Sequence, residues 1–189
     1  MQILRTLTLC FVILISSAHA SINETQHKWF MGAEAGNLWY SGYDVIAATI
    51  YGGYRWQQFG LDVGYTKPMT NNFNTNTGGE QWVVNNSQNI YIDALGFYEL
   101  SKKVELIGHL GFGYFKAKID PLDAYNDWSY RSGGARVGLG VLYKLNYRVQ
   151  AGAFYILQTT NQNFPSALNM LGLNITYYLL TCARKSASN

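Results

Sequence analysis

Two runs of alternating apolar and polar residues flank a short polar turn in GGYRWQQFGLDVGYTKP, residues 52–68. Ile50, Gly52, Tyr54 and Trp56 interleave with Thr49, Tyr51, Gly53 and Arg55; after the turn Phe59, Leu61, Val63 and Tyr65 interleave with Gly60, Asp62 and Thr66. A repeat of two is the period of a β-strand, whose successive side chains point to opposite faces. The same pattern recurs and predicts eight strands: Phe30 to Tyr40, Val45 to Trp56, Phe59 to Lys67, Asn89 to Glu99, Val104 to Lys116, Gly134 to Lys144, Tyr147 to Thr159 and Leu168 to Tyr178. Most approach the 9 to 11 residues that a tilted strand needs to cross a bilayer.

The predicted connections alternate in length. Gln57-Gln58, Leu100 to Lys103 and Leu145-Asn146 are short, whereas PMTNNFNTNTGGEQWVVNNSQ, AKIDPLDAYNDWSYRSG and NQNFPSA are long and polar; the first connection, SGYD, is brief. Short turns at one end and long loops at the other are the habit of an outer-membrane barrel. A soluble sandwich has no reason to follow such a rule.

The two faces differ as a membrane barrel requires. Leu106, Leu110, Phe112 and Tyr114 share one face, against Glu105, Ile107, His109, Gly111, Gly113 and Phe115. Ala135, Val137, Leu139, Val141 and Tyr143 oppose Gly134, Arg136, Gly138, Gly140 and Lys144, and Leu171, Leu173, Ile175 and Tyr177 oppose Gly172, Asn174 and Thr176. No charge falls mid-strand on the apolar face, where it would cost about 2–4 kcal/mol at the bilayer midplane. A water-facing sheet surface is rich in Lys, Glu, Thr and Ser, yet here the second face is mostly glycine with isolated charges. That suits the narrow interior of a closed eight-stranded barrel, which side chains just fill. Aromatic residues form a girdle at each end: Trp29, Tyr54, Trp56, Phe59, Tyr98, Tyr143, Tyr147 and Tyr177 by the short turns, and Trp39, Tyr40, Tyr65, Tyr114 and Tyr155 by the loops. Amphipathic rings at both interfaces are a membrane-protein signature.

Composition narrows the setting. Arg5, an apolar core from Leu7 to Ile15 and the ending Ala18-His19-Ala20 make residues 1–20 a cleaved signal peptide, leaving 21–189 as the barrel domain with a short tail from about 180. With Arg5 removed, 13 of the 14 Lys and Arg residues face 11 Asp and Glu, a balance that favours no polyanionic partner and no nucleic acid. Cys182 remains as a single thiol, so no internal disulfide forms.

The hairpin GYRWQQFGLDVGY, the segment HLGFGYFKAK and the segment GGARVGLGVLYKLNYRVQAGAFY resemble the small eight-stranded outer-membrane barrels of the OmpA, OmpX and opacity-protein type. The resemblance covers the whole mature chain. It implies an all-β, up-and-down antiparallel transmembrane barrel in the bacterial outer membrane, placed there by the outer-membrane assembly machinery and surrounded by lipid and lipopolysaccharide. Two departures stand out. Relatives usually end on an aromatic residue, whereas LTCARKSASN follows MLGLNITYYL here, and a position where relatives often carry an inward Glu holds Phe154. No peptidoglycan-binding domain is expected after the barrel.

Candidate chemistry lies on the inner face: Glu34, Arg55, Asp62, Asp93, Glu99, Glu105, His109, Arg136, Lys144 and Arg148. Buried charges need partners, the signs nearly balance, and the lumen is narrow. The expected arrangement is therefore a paired polar plug, with Arg55 and Arg136 bridging to Glu34, Asp62, Asp93 or Glu105; a narrow ion or small-solute channel is the alternative. His109 is expected to bond Glu105 or a tyrosine. A lipid-modifying enzyme, the third reading, needs a His and a Ser close together facing lipid, and GHLGFG offers an inward His109 without that Ser. His27 and Cys182 supply no metal-ligand cluster, and Asp120, Asp123 and Asp127 lack the order of a calcium loop, so no metal and no cofactor is expected. Phe73, Trp82, Tyr125, Trp128, Tyr130 and Phe164 place aromatics among Asn and Ser in the outer loops. They suit contact with a host or matrix surface ligand, or an extension of the sheet above the membrane. The function this supports is non-enzymatic: envelope integrity and surface-loop interaction, including adhesion.

Overall fold

The computed structural model describes residues 27–40, 43–69, 74–77, 80–121, 128–160 and 167–179. The expected signal peptide and the tail from about 180 lie outside them. Nine strands follow in chain order: β1 (His27–Tyr40), β2 (Tyr43–Trp56), β3 (Phe59–Pro68), β4 (Asn74–Thr77), β5 (Glu80–Glu99), β6 (Val104–Pro121), β7 (Trp128–Lys144), β8 (Val149–Thr159) and β9 (Ala167–Leu179). Each barrel strand pairs antiparallel with its neighbours, β9 pairs with β1, and β3 pairs with β5, so eight strands close on themselves. Closure matters in lipid, where every backbone donor and acceptor must be satisfied within the protein. Strand β4 pairs only with the outer part of β5, forming a short hairpin beyond the closed ring.

Alternation settles which face meets lipid. Leu139 is 72% exposed while its neighbours Gly138 and Gly140 are buried, and Leu173 is 68% exposed between the half-buried Gly172 and Asn174. Ile46, Ile50, Leu61, Val63, Ile92 and Leu110 continue the exposed aliphatic belt. Aromatic residues rim it: Trp29 lies 4.9 Å from Tyr54 between ring centroids, and Tyr54 lies 6.2 Å from Trp56. At the other end Tyr65 donates to Gln88 Oε1 at 3.1 Å and Tyr155 to Asn169 Oδ1 at 3.0 Å. Trp39 is half-buried, Phe59, Tyr98, Tyr114, Tyr143, Tyr147 and Tyr177 are exposed, and the side chain of Tyr40 lies outside the described residues.

The turns hold by local bonds. Gln57 takes φ 57°, the left-handed region, so that Trp56 and Phe59 can pair across two residues. Ser101 Oγ accepts from the amides of Lys103 and Val104, and Asn146 Oδ1 accepts from those of Arg148 and Val149. The last turn therefore spans residues 145–148, and β8 begins at Val149 rather than Tyr147.

Strands β1 and β2 begin two or three residues early, at His27 and Tyr43, and three others run five or more residues further than their hydrophobic pattern predicts. β5 begins at Glu80 instead of Asn89, β6 continues to Pro121 instead of Lys116, and β7 begins at Trp128 instead of Gly134. Pairs such as Val84 with Ile119 and Lys118 with Ser129 carry the sheet past the loop-side girdle. The outward positions there are the polar Lys116, Lys118, Ser129 and Arg131, and the buried inward ones include the small Ala117 and Ser132, so backbone pairing persists while the apolar alternation that reveals a strand in sequence fades. A register shift between Asn85 and Gln88 marks the change, as expected of a bulge at a barrel rim.

Candidate functional site: the charged lumen

The interior is layered rather than uniformly polar. Near the short turns Phe30, Tyr51, Leu95, Phe97, Ile107, Leu142 and Tyr178 form one apolar cluster with Tyr91; near the loops Leu38, Val45, Ala47, Phe115, Phe154, Ile156, Leu168 and Met170 belong to another. The expectation of a lumen of glycine and charge is corrected by these two clusters. Inward aromatics fit because glycines on adjacent strands leave space for them: a methyl group on Gly64 would overlap the Tyr91 ring, and one on Gly32 the Tyr51 ring. Phe154, at the departure from the family pattern, is part of the loop-side cluster.

Between and below the clusters lie the charges. At the turn-side mouth Arg55 makes a forked contact with Glu105, Nη1 to Oε2 at 3.0 Å and Nη2 to Oε1 at 2.9 Å. The planar guanidinium is shaped for this two-point grip, and it also rests over the Phe97 ring, 3.9 Å from the centroid. Glu105 further accepts from Gln150 Nε2 at 2.9 Å, and Lys144 Nζ lies 3.2 Å from its Oε1. Tyr178 donates to Gln150 Oε1 at 3.0 Å. Glu99 stands at the exposed edge of the group, 3.4 Å from Lys144.

Mid-barrel, Arg136 donates from Nε to Asp93 Oδ2 at 2.8 Å, both side chains being buried. Asp62 and Asp93 are direct partners across the β3–β5 seam, and Glu34 enters from β1. His109 Nδ1 lies 3.4 Å from Asp93 Oδ2. The expected bond to Glu105 or a tyrosine is absent, because His109 sits next to the carboxylates of the seam instead. Above this layer Asn89 and Gln158 exchange two amide bonds at 3.0 and 3.1 Å, and Thr49 meets Thr66 at 2.8 Å.

Two predicted residues lie elsewhere. Arg148 is not in the lumen: its Nη1 donates to Tyr177 Oη at 3.2 Å and its guanidinium lies 5.1 Å from the Tyr147 ring, on the outer aromatic rim. The turn at 145–148 rotates it outward, a geometry that simple alternation does not register. Tyr130 is not a free loop contact either, since it packs on the loop-side cluster with its ring 6.1 Å from Phe115. Trp82 and Trp128 lie on β5 and β7, paired with Pro121 and Ile119, whereas Phe73, Tyr125 and Phe164 fall outside the described residues.

One grouping was not anticipated. Asp62, Asp93 and His109 each present a ligand atom, and the three lie within 4.8 Å of one another. They come from three different strands, so no spacing in the sequence brings them together.

A closed eight-stranded antiparallel cylinder with an aliphatic belt, aromatic rims and ion pairs sealed inside is a small transmembrane β-barrel. The chain belongs to the family described as outer membrane protein beta-barrel domain, whose model matches residues 7–177. That places it in the bacterial outer membrane. No curated protein shows significant sequence similarity to it. Among solved structures it is similar to the Neisserial surface protein A, at 17% identity and TM-score 0.60 over 82% of this chain and 99% of that one. It also resembles the attachment invasion locus protein Ail of Yersinia pestis, solved with the heparin analogue sucrose octasulfate, at 15% identity and TM-score 0.56 over 83% and 100%. The N-terminal barrel of Pseudomonas aeruginosa OprF matches at 13% identity and TM-score 0.57 over 82% and 100%. At these identities the likeness is one of fold.

Proposed function

We propose that this protein is a non-enzymatic, sealed barrel that supports the outer membrane and presents its loop-side strand extensions for surface contact, including adhesion. The observation that carries this reading is the unequal height of the wall: β5 has 20 residues, β6 18 and β7 17, against 10 in β3 and 11 in β8. A strand needs only about 9–11 residues to span the bilayer, so β5 to β7 extend beyond it as one hydrogen-bonded flank. Just above Tyr114 this flank carries Lys116 and Arg131, paired in register, with exposed Lys118 beyond them. The balanced charge of the whole chain favours no polyanionic partner, but these cations stand together on paired strands, where they suit the phosphates of lipopolysaccharide and an anionic surface ligand such as the sulfated sugar analogue bound by the similar-fold Ail.

The lumen supports the non-conducting part of the reading. Two apolar clusters and the Arg55–Glu105 and Arg136–Asp93 pairs fill the cross-section. Planar bilayers holding the purified barrel are expected to show no discrete conductance; steps that shrink in Glu105→Gln would establish the channel reading instead. Lys116→Gln combined with Arg131→Gln is expected to lower binding of whole cells to heparan-type matrix while leaving the barrel folded, and deleting residues 71–87 is expected to lower binding to host matrix through the remaining part of the flank. Unchanged binding would leave the envelope role alone.

A further inference from the structure

Glu34 Oε2, Asp62 Oδ1, Asp93 Oδ1 and both imidazole nitrogens of His109 have no hydrogen-bond partner on the protein. Their residues are 5%, 2%, 0% and 5% exposed. Glu34, Asp62 and His109, with Asn174, also line one internal cavity of about 10 Å³, room for a single water-sized occupant. Asn174 Oδ1 is likewise without a partner. Orphaned donors and acceptors around one cavity imply something that satisfies them.

Charge makes the demand specific. Asp62 and Asp93 are Cα partners across the seam that closes the barrel, and like charges directly opposite on paired strands repel. Glu34 adds a third carboxylate, against which Arg136 supplies one positive charge, on Asp93. Arg55 and Lys144 are engaged with Glu105 at the turn-side mouth. The mid-barrel layer thus carries a formal surplus of two negative charges in an enclosed site, where uncompensated charge is costly.

We propose that Asp62, Asp93 and His109, with Glu34 as a fourth donor, bind one divalent first-row metal ion, Zn²⁺ being the cation whose usual ligands they match. One imidazole nitrogen with carboxylate oxygens is a borderline donor set suited to such ions rather than to Ca²⁺ or Mg²⁺. Ligand atoms around tetrahedral Zn²⁺ stand roughly 3.4 Å apart, given bonds of about 2.0–2.2 Å. The ligand atoms of Asp62, Asp93 and His109 lie within 4.8 Å of one another, so small side-chain rotations bring these three to that spacing, while Glu34 reaches the site from the cavity it shares with Asp62 and His109. The ion would neutralise the surplus and clasp β3, β5 and β6 at the seam. Because apolar clusters close the lumen above and below, loading accompanies folding rather than following it.

The test uses the full mature barrel with His27→Gln and Cys182→Ser, which remove the other mature imidazole and the thiol. It is refolded into detergent micelles with Zn²⁺ or Co²⁺ and desalted, and bound metal is measured by elemental analysis. The expected result is about one equivalent retained, with a Co²⁺ visible spectrum typical of tetrahedral nitrogen and oxygen ligands. Asp62→Asn and His109→Gln are expected to weaken retention by at least about tenfold, while each still shows the heat-modifiable gel shift of a folded barrel. A folded parent that keeps under about a tenth of an equivalent would overturn the site and leave neutralisation to protons. Equal retention in His109→Gln would overturn it as well. Should neither variant fold, the Co²⁺ spectrum of the parent decides: octahedral or absent bands reject the assignment.

Discussion

The Arg136 guanidinium lies over the Tyr91 ring, its central carbon 3.7 Å from the ring centroid, while its Nε donates to Asp93. One side chain thereby satisfies a buried carboxylate and covers an aromatic face. The flat, weakly hydrated guanidinium can do both at once, which an ammonium cannot. Stripping it away leaves Asp93, 0% exposed, without its cation.

Arg136→Ala is therefore expected to destabilise the barrel by about 3–5 kcal/mol, the cost of breaking one half of a buried pair. Arg136→Lys should recover part of this, losing the stack and the planar fit. Urea titration of the protein in lipid vesicles, followed by the gel shift between folded and unfolded forms, measures both. A loss under about 1 kcal/mol for the alanine variant would mean that the pair is solvated rather than buried.

Tyr91 can occupy its place because β3 carries no side chain at Gly64. A methyl group there would overlap the distal atoms of the Tyr91 ring, including its hydroxyl. Gly64→Ala should cost about 1–3 kcal/mol, the usual price of overpacking. Combining it with Tyr91→Leu should cost less than the two single changes together, since the atoms that clash are then gone. Additive losses in the double variant would show that Gly64 acts through its backbone instead.

The cylinder was legible in the sequence; its contents were only partly so. Leu139, Leu173 and Ile50 announce the lipid face because the bilayer enforces strict alternation on every strand that crosses it. Arg55 and Arg136 were predictable as cations in search of carboxylates, but which carboxylate each meets depends on strand stagger, and stagger leaves no mark on a single strand. His109 shows the gap most clearly, beside Asp93 on a neighbouring strand and not bonded to Glu105 on its own. The outer parts of β5 to β7 escaped because the outward Lys116, Lys118 and Arg131 are polar and the inward Ala117 and Ser132 are small, so no apolar face shows, and Arg148 escaped because a turn, not a strand, sets its direction.

The lipid face gives a prediction of its own. Leu139→Arg puts a charge at the middle of the outward belt and should cost about 2–4 kcal/mol, lowering the folded yield in vesicles. Leu145→Arg, an equally apolar position in the exposed turn 145–148, should be nearly neutral, because the turn stands outside the hydrocarbon. Equal effects of the two changes would contradict the assigned depth of β7.

The turn at Gln57-Gln58 offers a gain rather than a loss. Gln57 holds φ at 57°, a region that costs an ordinary residue about 1–2 kcal/mol and glycine almost nothing. Its side chain is exposed and its carbonyl, which accepts from Arg55 Nε at 2.9 Å, belongs to the backbone. Gln57→Gly therefore keeps that bond, and with it the approach of Arg55 to Glu105, while relieving the strain. Greater freedom of glycine in the unfolded chain offsets part of the benefit. The net expectation is a stabilisation of about 0.5–1 kcal/mol, together with faster refolding if this hairpin forms early. Gln57→Val, whose branched side chain fits that region worst, should shift the urea midpoint the other way. If both variants move it in the same direction, backbone strain at residue 57 is not what governs the turn.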